Sequence, residues 1–177
     1  KRVDRIKDAY KKYNISGHFY NLEKALNFTK FDACIICTPP SSHLNISLQC
    51  VKKNVPIFLE KPLGMNCKGW KKVSDICKKK KLVNYVAYCH RFINYTNMFF
   101  ELINNKKKIG KIYSINLNWC SYLPDWHPYE KYTSFYMAKK KQGGGSLLDS
   151  HGIDLIIYFF GKINKVYGKL YNLSELK

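Results

Sequence analysis

Three short polar signatures interrupt the apolar runs of the first ninety residues. They are Thr38-Pro39-Pro40 with His43 a turn later, Glu60-Lys61-Pro62, and His90-Arg91-Phe92. A lysine that closes an apolar run and is followed by proline is held in place. The neighbouring Glu60 carboxylate can fix that ammonium or tune its proton affinity. Further along, Trp126, Tyr129 and Tyr132 form an aromatic loop, and Gly143-Gly144-Gly145 precedes Asp149 and His151. These are the residues whose types and spacing could do chemistry, provided the fold brings them to one place.

The elements around them suggest that it does. Asp32 to Thr38 and Val55 to Leu59 are short continuous apolar runs, the pattern of strands buried on both faces of a parallel sheet. Leu82 to Cys89 reads as a third strand. Helices are expected at Val3 to Tyr13, at Leu22 to Phe28 with Asn21 as N-cap, and from a cap at Ser41 or Ser42 to about Lys53. Asn66 to Lys80 reads as a further helix, with an apolar stripe at Trp70, Val73 and Cys77. Strands alternating with such helices are the signature of βαβ units. In an open sheet of this kind ligands bind beyond the carboxyl ends of the strands, where all three polar signatures fall.

After Arg91 the pattern changes. Phe92 to Asn105 reads as a helix. Lys111 to Tyr122 alternates, with Ile112, Ser114, Asn116 and Asn118 on one face and Tyr113, Ile115, Leu117 and Trp119 on the other. That is the pattern of a half-buried strand in a mostly antiparallel sheet. A helix from about Ser146 to Phe160, closed by Gly161, and a last strand from Val166 to Leu173 follow. The expected fold class is α/β: an incomplete Rossmann-like domain over residues 1–90, then the first part of an α+β domain over 91–177.

Composition narrows the function classes. The 177 residues carry 31 Lys+Arg against 12 Asp+Glu, a formal charge of +19. Lysine runs such as Lys78 to Lys81 and Lys139 to Lys141 sit at helix ends and in loops, and arginine occurs only at Arg2, Arg5 and Arg91. Solvated lysine faces with a nonspecific pull on polyanions are expected, rather than sequence-specific nucleic-acid recognition. No apolar run reaches the roughly 18 to 20 residues that would span a bilayer, so no membrane partner is expected. The seven cysteines have no framework spacing. Cys34 and Cys37 form a C-x-x-C within a strand, where positions three apart face opposite sides. Neither a metal site nor a redox pair is expected from them, and reduced thiols fit a cytoplasmic protein.

TPPSSHLNISLQCVKKNVPIFLEKPL, then YVAYCHRF, IGKIYSI, PDWHPYEKY and GGGSLLDSHGIDLIIYFFG follow one another in the order and spacing of the Gfo/Idh/MocA oxidoreductases. The chain resembles that family, which includes glucose-fructose oxidoreductase and inositol dehydrogenase. The resemblance implies NAD or NADP as cofactor, and hydride transfer between the nicotinamide and a hydroxyl-bearing carbon of a sugar, cyclitol or nucleotide-linked sugar. It also implies a homo-oligomer. Lys61 matches the family's lysine, and His151 the histidine of an H-x-[IF]-D pattern, here His151-Gly152-Ile153-Asp154. Near one substrate oxygen these two suit proton transfer and charge stabilisation. Thr38, Pro39, His43, Glu60, Lys61 and Arg91 would then surround the cofactor. Trp126, Tyr129, Tyr132 and His151 would face the substrate.

Three departures from the family pattern matter. Asp149 lies two residues before His151, about 200° around a regular helix, so it is the weaker catalytic candidate. Tyr132 is followed by Thr133 where relatives often carry arginine. No G-x-G-x-x-G loop occurs, so the backbone cradle for a pyrophosphate is not among these residues. The chain is therefore expected to be a piece of a longer enzyme, incomplete at both ends. A non-catalytic relative of the same fold and, more remotely, a basic nucleic-acid-binding module remain the alternatives.

Overall fold

The structure, a computed structural model, describes residues 3–145, 150–172 and 174–176. Its centre is a parallel sheet of β1 (Cys34–Ile36), β2 (Ile57–Leu59) and β3 (Asn84–Val86), in the order β1-β2-β3. α3 (Pro40–Lys52) connects β1 to β2, and α4 (Trp70–Lys80) connects β2 to β3. Strand order advances in one direction, so two right-handed crossovers place both helices on the same face. Ile36, Ile57 and Leu59 of the sheet pack there against Cys50 and Val51 of α3 and Trp70, Val73 and Cys77 of α4. The Lys80 ammonium donates to the carbonyls of Val51 and Lys52 at 3.0 and 2.8 Å, closing the C-terminus of α3. One member of the lysine run is thus a cap rather than a solvated charge.

The opposite face is bare. Ile35, Phe58 and Tyr85 stand in register across the three strands and are 71%, 43% and 36% exposed. The expectation of strands buried on both faces is corrected here: among the described residues no helix or strand covers this row, and Phe92 meets it at the Tyr85 end, 5.9 Å between centroids. Phe58 and Tyr85 stack at 5.5 Å between centroids, sharing what burial is available.

Helix ends also differ from the sequence pattern. Neither Ser41 nor Ser42 caps α3; Pro39 occupies the cap position and Pro40 the first turn, where a missing N–H costs nothing. The Ser42 hydroxyl donates to the Pro39 carbonyl at 2.8 Å and lies 2.7 Å from the Thr38 hydroxyl. α4 begins at Trp70, not Asn66, because Gly69 sits at φ +87° and breaks the helical path. α1 (Val3–Lys12) and α2 (Leu22–Phe28) form as expected, and the Asn21 side chain accepts from the Lys24 amide at 3.0 Å. Cys34 has its partner on α3, not in the C-x-x-C. A hydrogen bond from Cys50 lowers the Cys34 thiol to about 7 against the opposing effect of burial. The same bond, with burial, raises Cys50.

Beyond β3 a 3-10 turn, Cys89–Phe92, leads into α5 (Asn94–Asn104) and the short α6 (Lys106–Ile109). α7 is described over Ser150–Phe160 and ends at Gly161, whose amide donates to the Ile157 carbonyl at 2.9 Å. The expected antiparallel sheet is not seen among the described residues. Residues 111–122 and 166–172 carry no ladder pairing, and the one sheet among the described residues is parallel. Alternation fixes which side chains share a face, but a ladder needs a partner strand. The facing is nevertheless visible: Leu117 and Trp119 both turn toward Gly152 of α7.

Candidate active site

The carboxyl ends of β1 and β2 are tied together by one buried side chain. His43, fully buried on α3, places Nε2 2.7 Å from the Thr38 carbonyl and Nδ1 3.0 Å from the Pro62 carbonyl. It locks the segment after β1 to the Lys61-Pro62 segment after β2, whose peptide bond is cis. Thr38 is exposed and Pro39 half-buried at the rim, whereas the His43 ring lies beneath them. Glu60 continues the ladder, its amide donating to the Ile36 carbonyl at 2.9 Å. Lys61 follows, with its ammonium 5.7 Å from the centre of the Trp126 ring.

α7 delivers His151 to the same rim. The imidazole lies 4.4 Å from the His90 ring, 6.1 Å from Tyr88 and 6.2 Å from Trp119, centroid to centroid. Its Nδ1 is buried and has no hydrogen-bond partner among the described residues. Burial first, then the positive charge of Lys61 and the nearby His90, lower its pKa from 6.5 to about 4, against a smaller opposing pull from Asp154. His151 is therefore neutral at pH 7, with an orphaned buried nitrogen beside an ammonium.

α7 is held there by Arg91. The guanidinium grips Asp154 through two hydrogen bonds, Nε to Oδ2 at 2.8 Å and Nη2 to Oδ1. It also lies 4.9 Å from the Tyr158 ring and 5.8 Å from the Tyr88 ring. The hydrogen bond to Asp154 raises the Arg91 pKa above its ordinary value, and the planar fork suits this bidentate geometry. Arg91, expected beside a cofactor, spends its charge on an aspartate one turn from His151. Sequence pattern could not pair residues 63 positions apart.

The aromatic loop divides. Trp126 is brought to Lys61. Tyr129 meets His127, hydroxyl to Nδ1 at 2.8 Å, on a cleft of about 560 Å³ lined also by Cys37, Pro39, Glu130 and Tyr136. Lys61 and His151 lie outside that lining. Burial and the charge of Glu60 raise the Tyr136 pKa. Tyr132 lines a different cleft, of about 550 Å³, with Leu123, Met137 and Gly144. Gly144 leaves no room for a side chain, since a Cβ would stand 2.0 Å from the Met137 carbonyl oxygen. Gly143, at φ +99°, would strike Pro40, so the glycine run packs the loop onto the start of α3. Asp149 lies outside the described residues. Tyr88 and Trp119 carry no site signal in the sequence, and His90 and Asp154 appear there only as parts of His90-Arg91-Phe92 and of the H-x-[IF]-D pattern, without a role of their own. Adjacency to Arg91 and His151 was the available signal.

The protonation of His151 can be read directly. By NMR its ring is expected to titrate near 4, well below the ordinary 6.5. Lys61→Met raises that midpoint only part of the way, since burial is the larger cause. A midpoint of 6.5 in the unaltered chain contradicts the geometry. The unfolded chain protonates its histidine first, so this group lowers stability as pH falls from about 6.5 toward about 4.

A rim of polar residues beyond the carboxyl ends of parallel strands joined by crossover helices is where open α/β sheets bind ligands. Residues 1–88 match the oxidoreductase family with an NAD-binding Rossmann fold, and residues 101–176 match the GFO/IDH/MocA C-terminal domain. The chain belongs to the Gfo/Idh/MocA oxidoreductase family. It is 25% identical over 165 residues to D-glucoside 3-dehydrogenase of Escherichia coli, covering 90% of this chain and 44% of that protein. It is 23% identical over 110 residues to myo-inositol 2-dehydrogenase of Thermotoga maritima, covering 62% and 33%. Among solved structures it resembles the WlbA dehydrogenase of Chromobacterium violaceum, in complex with NADH and UDP-GlcNAcA. There the TM-score is 0.75 at 21% identity, over 90% of this chain and 45% of that one. The chain spans about a third to a half of the length of the curated relatives it matches. No helix among the described residues is long and apolar enough to cross a membrane.

Proposed function

We propose that the chain carries the hydride-transfer rim of an NAD(P)-dependent dehydrogenase acting on a sugar, cyclitol or nucleotide-linked sugar. What supports this reading is that the charge of Lys61 reaches His151 and lowers its pKa, and that the buried His151 Nδ1 has no partner among the described residues. Thr38, Pro39, Glu60 and Lys61 would hold the nicotinamide end of the dinucleotide, which supplies the hydride acceptor when bound. His43 and Arg91 would support that rim, the first by tying two strand ends and the second by fixing α7.

In the oxidative direction the substrate carbinol loses a hydride from carbon and a proton from oxygen. His151 accepts the hydroxyl proton at its free nitrogen, and the Lys61 ammonium stabilises the negative charge developing on that oxygen. The products are the carbonyl compound, the reduced nicotinamide and one proton. Trp126 would stack on the ring of the substrate, with Tyr129 at the rim of the adjacent cleft and Tyr132 as a further contact. Asp149 remains a weaker candidate for the proton relay. Residues 1–90 would form the cofactor side and 91–177 the substrate side, in a homo-oligomeric cytoplasmic enzyme.

The reading is tested on a protein extended to the length of its relatives, by supplying NAD or NADP with a panel of sugars, cyclitols and nucleotide sugars and following the reduced nicotinamide. Oxidation of at least one polyol, abolished by omitting the nicotinamide, is expected. Inactivity across the panel, with cofactor bound, would favour a non-catalytic relative.

A further inference from the structure

His151 meets a second pair of ligating groups just after β3. Cys89 and His90 are adjacent on the 3-10 turn after β3, and His151 projects from the first described turn of α7. One ligand atom from each lies within 4.8 Å of the other two. A tetrahedral ion with Zn–S near 2.3 Å and Zn–N near 2.0 to 2.1 Å needs its ligand atoms about 3.4 to 3.6 Å apart. Side-chain rotations of about 1 Å close the difference. The exposed Cys89 gives solvent access, and the Arg91–Asp154 pair already fixes the turn against α7.

We propose that Cys89, His90 and His151 form a binding site for a soft or borderline divalent cation of the zinc class, with a fourth position open to water. The donor set selects the metal. One thiolate and two imidazoles favour zinc and its neighbours, while magnesium and calcium want oxygen. The nearby Lys61 ammonium strengthens that choice, because it opposes any cation that does not form strong bonds to sulfur and nitrogen. The thiolate offsets one of the two charges. The C-x-x-C at Cys34 and Cys37 plays no part, so the site arises only when residues 62 positions apart are folded together.

Occupancy has a consequence. A bound ion takes the imidazole of His151, and the same side chain cannot then receive a substrate proton. Metal binding and dehydrogenation therefore exclude one another at this rim. That consequence rests on the proposed dehydrogenase reading, but the site itself does not.

Cobalt(II) reports the site without any turnover. Titrated into the reduced 177-residue chain, it is expected to give tetrahedral d–d bands together with a thiolate-to-cobalt charge-transfer absorption. Stoichiometric zinc displaces it and millimolar magnesium does not. Cys89→Ser, at an exposed position, removes the charge-transfer band and weakens binding at least about tenfold, with an unchanged circular-dichroism spectrum. His90→Ala weakens binding similarly while leaving some thiolate signal. Absence of tetrahedral cobalt binding overturns the proposal. So does a charge-transfer band that persists in Cys89→Ser, because the ion would then sit on another cysteine. A dehydrogenase that binds no cobalt would sink this site alone. Cobalt binding through Cys89, with no polyol oxidised by the protein extended to the length of its relatives, would sink the dehydrogenase reading alone.

Discussion

In a protein extended to the length of its relatives, Lys61→Met is expected to lower kcat for polyol oxidation by about 10²- to 10⁴-fold, the usual loss when a positioned proton-transfer or charge-stabilising group is removed. Methionine keeps most of the bulk and none of the charge, so β2 and the Lys61-Pro62 segment remain tied to Thr38 through His43. Nicotinamide-cofactor affinity changes much less than kcat, because the lost interaction is strongest when charge develops on the substrate oxygen. His151→Ala gives a loss of the same class, since it removes the free nitrogen that receives the proton. Steady-state kinetics with a separate cofactor titration decides the matter. A near-unaltered kcat in Lys61→Met removes Lys61 from the mechanism.

Arg91→Ala is expected to cost about 2 to 4 kcal/mol of stability, read from chemical denaturation. Asp154 is buried and would be left without its cation, and breaking such a pair from one side costs several kcal/mol. The Arg91 side chain is 32% exposed, so the upper part of that range is discounted for solvent screening. The double change Arg91→Met with Asp154→Leu recovers much of the loss, because no buried charge remains unpaired. Activity separates positioning from stability. The double variant stays folded but loses the anchor of α7, so its kcat falls although neither residue touches the substrate. Full activity in that variant would show that α7 needs no clamp to present His151.

Much of this architecture was legible in the sequence because it is local. The apolar runs ending in Thr38-Pro39 and Glu60-Lys61-Pro62 placed two strand ends and their polar residues at one rim. The stripe Trp70, Val73 and Cys77 gave the buried face of α4 correctly. The parts that were not legible are non-local. A continuous apolar run such as Ile57–Leu59 says nothing about whether both sheet faces are covered, and Phe58 is left partly bare. Alternation over residues 111–122 grouped Leu117 and Trp119 on one face, but it could neither say that this face meets α7 nor supply a ladder partner. The grip of Arg91 on Asp154 and the meeting of Cys89, His90 and His151 depend on how α7 docks, and no spacing rule encodes that. His43, expected beside a cofactor, turned out to have its ring buried between two carbonyls, because a histidine with both nitrogens engaged can bridge two loops.

The central claim is that this rim moves a hydride from a carbinol carbon to a nicotinamide while Lys61 and His151 manage the proton. It is tested most directly with a substrate polyol deuterated at the oxidised carbon. The account predicts that deuterium is recovered at C4 of the reduced nicotinamide and on one face of the ring only. It also predicts that this transfer is suppressed by about 10²-fold or more in Lys61→Met. Deuterium released to solvent, or transfer at an unchanged rate in Lys61→Met, would contradict it.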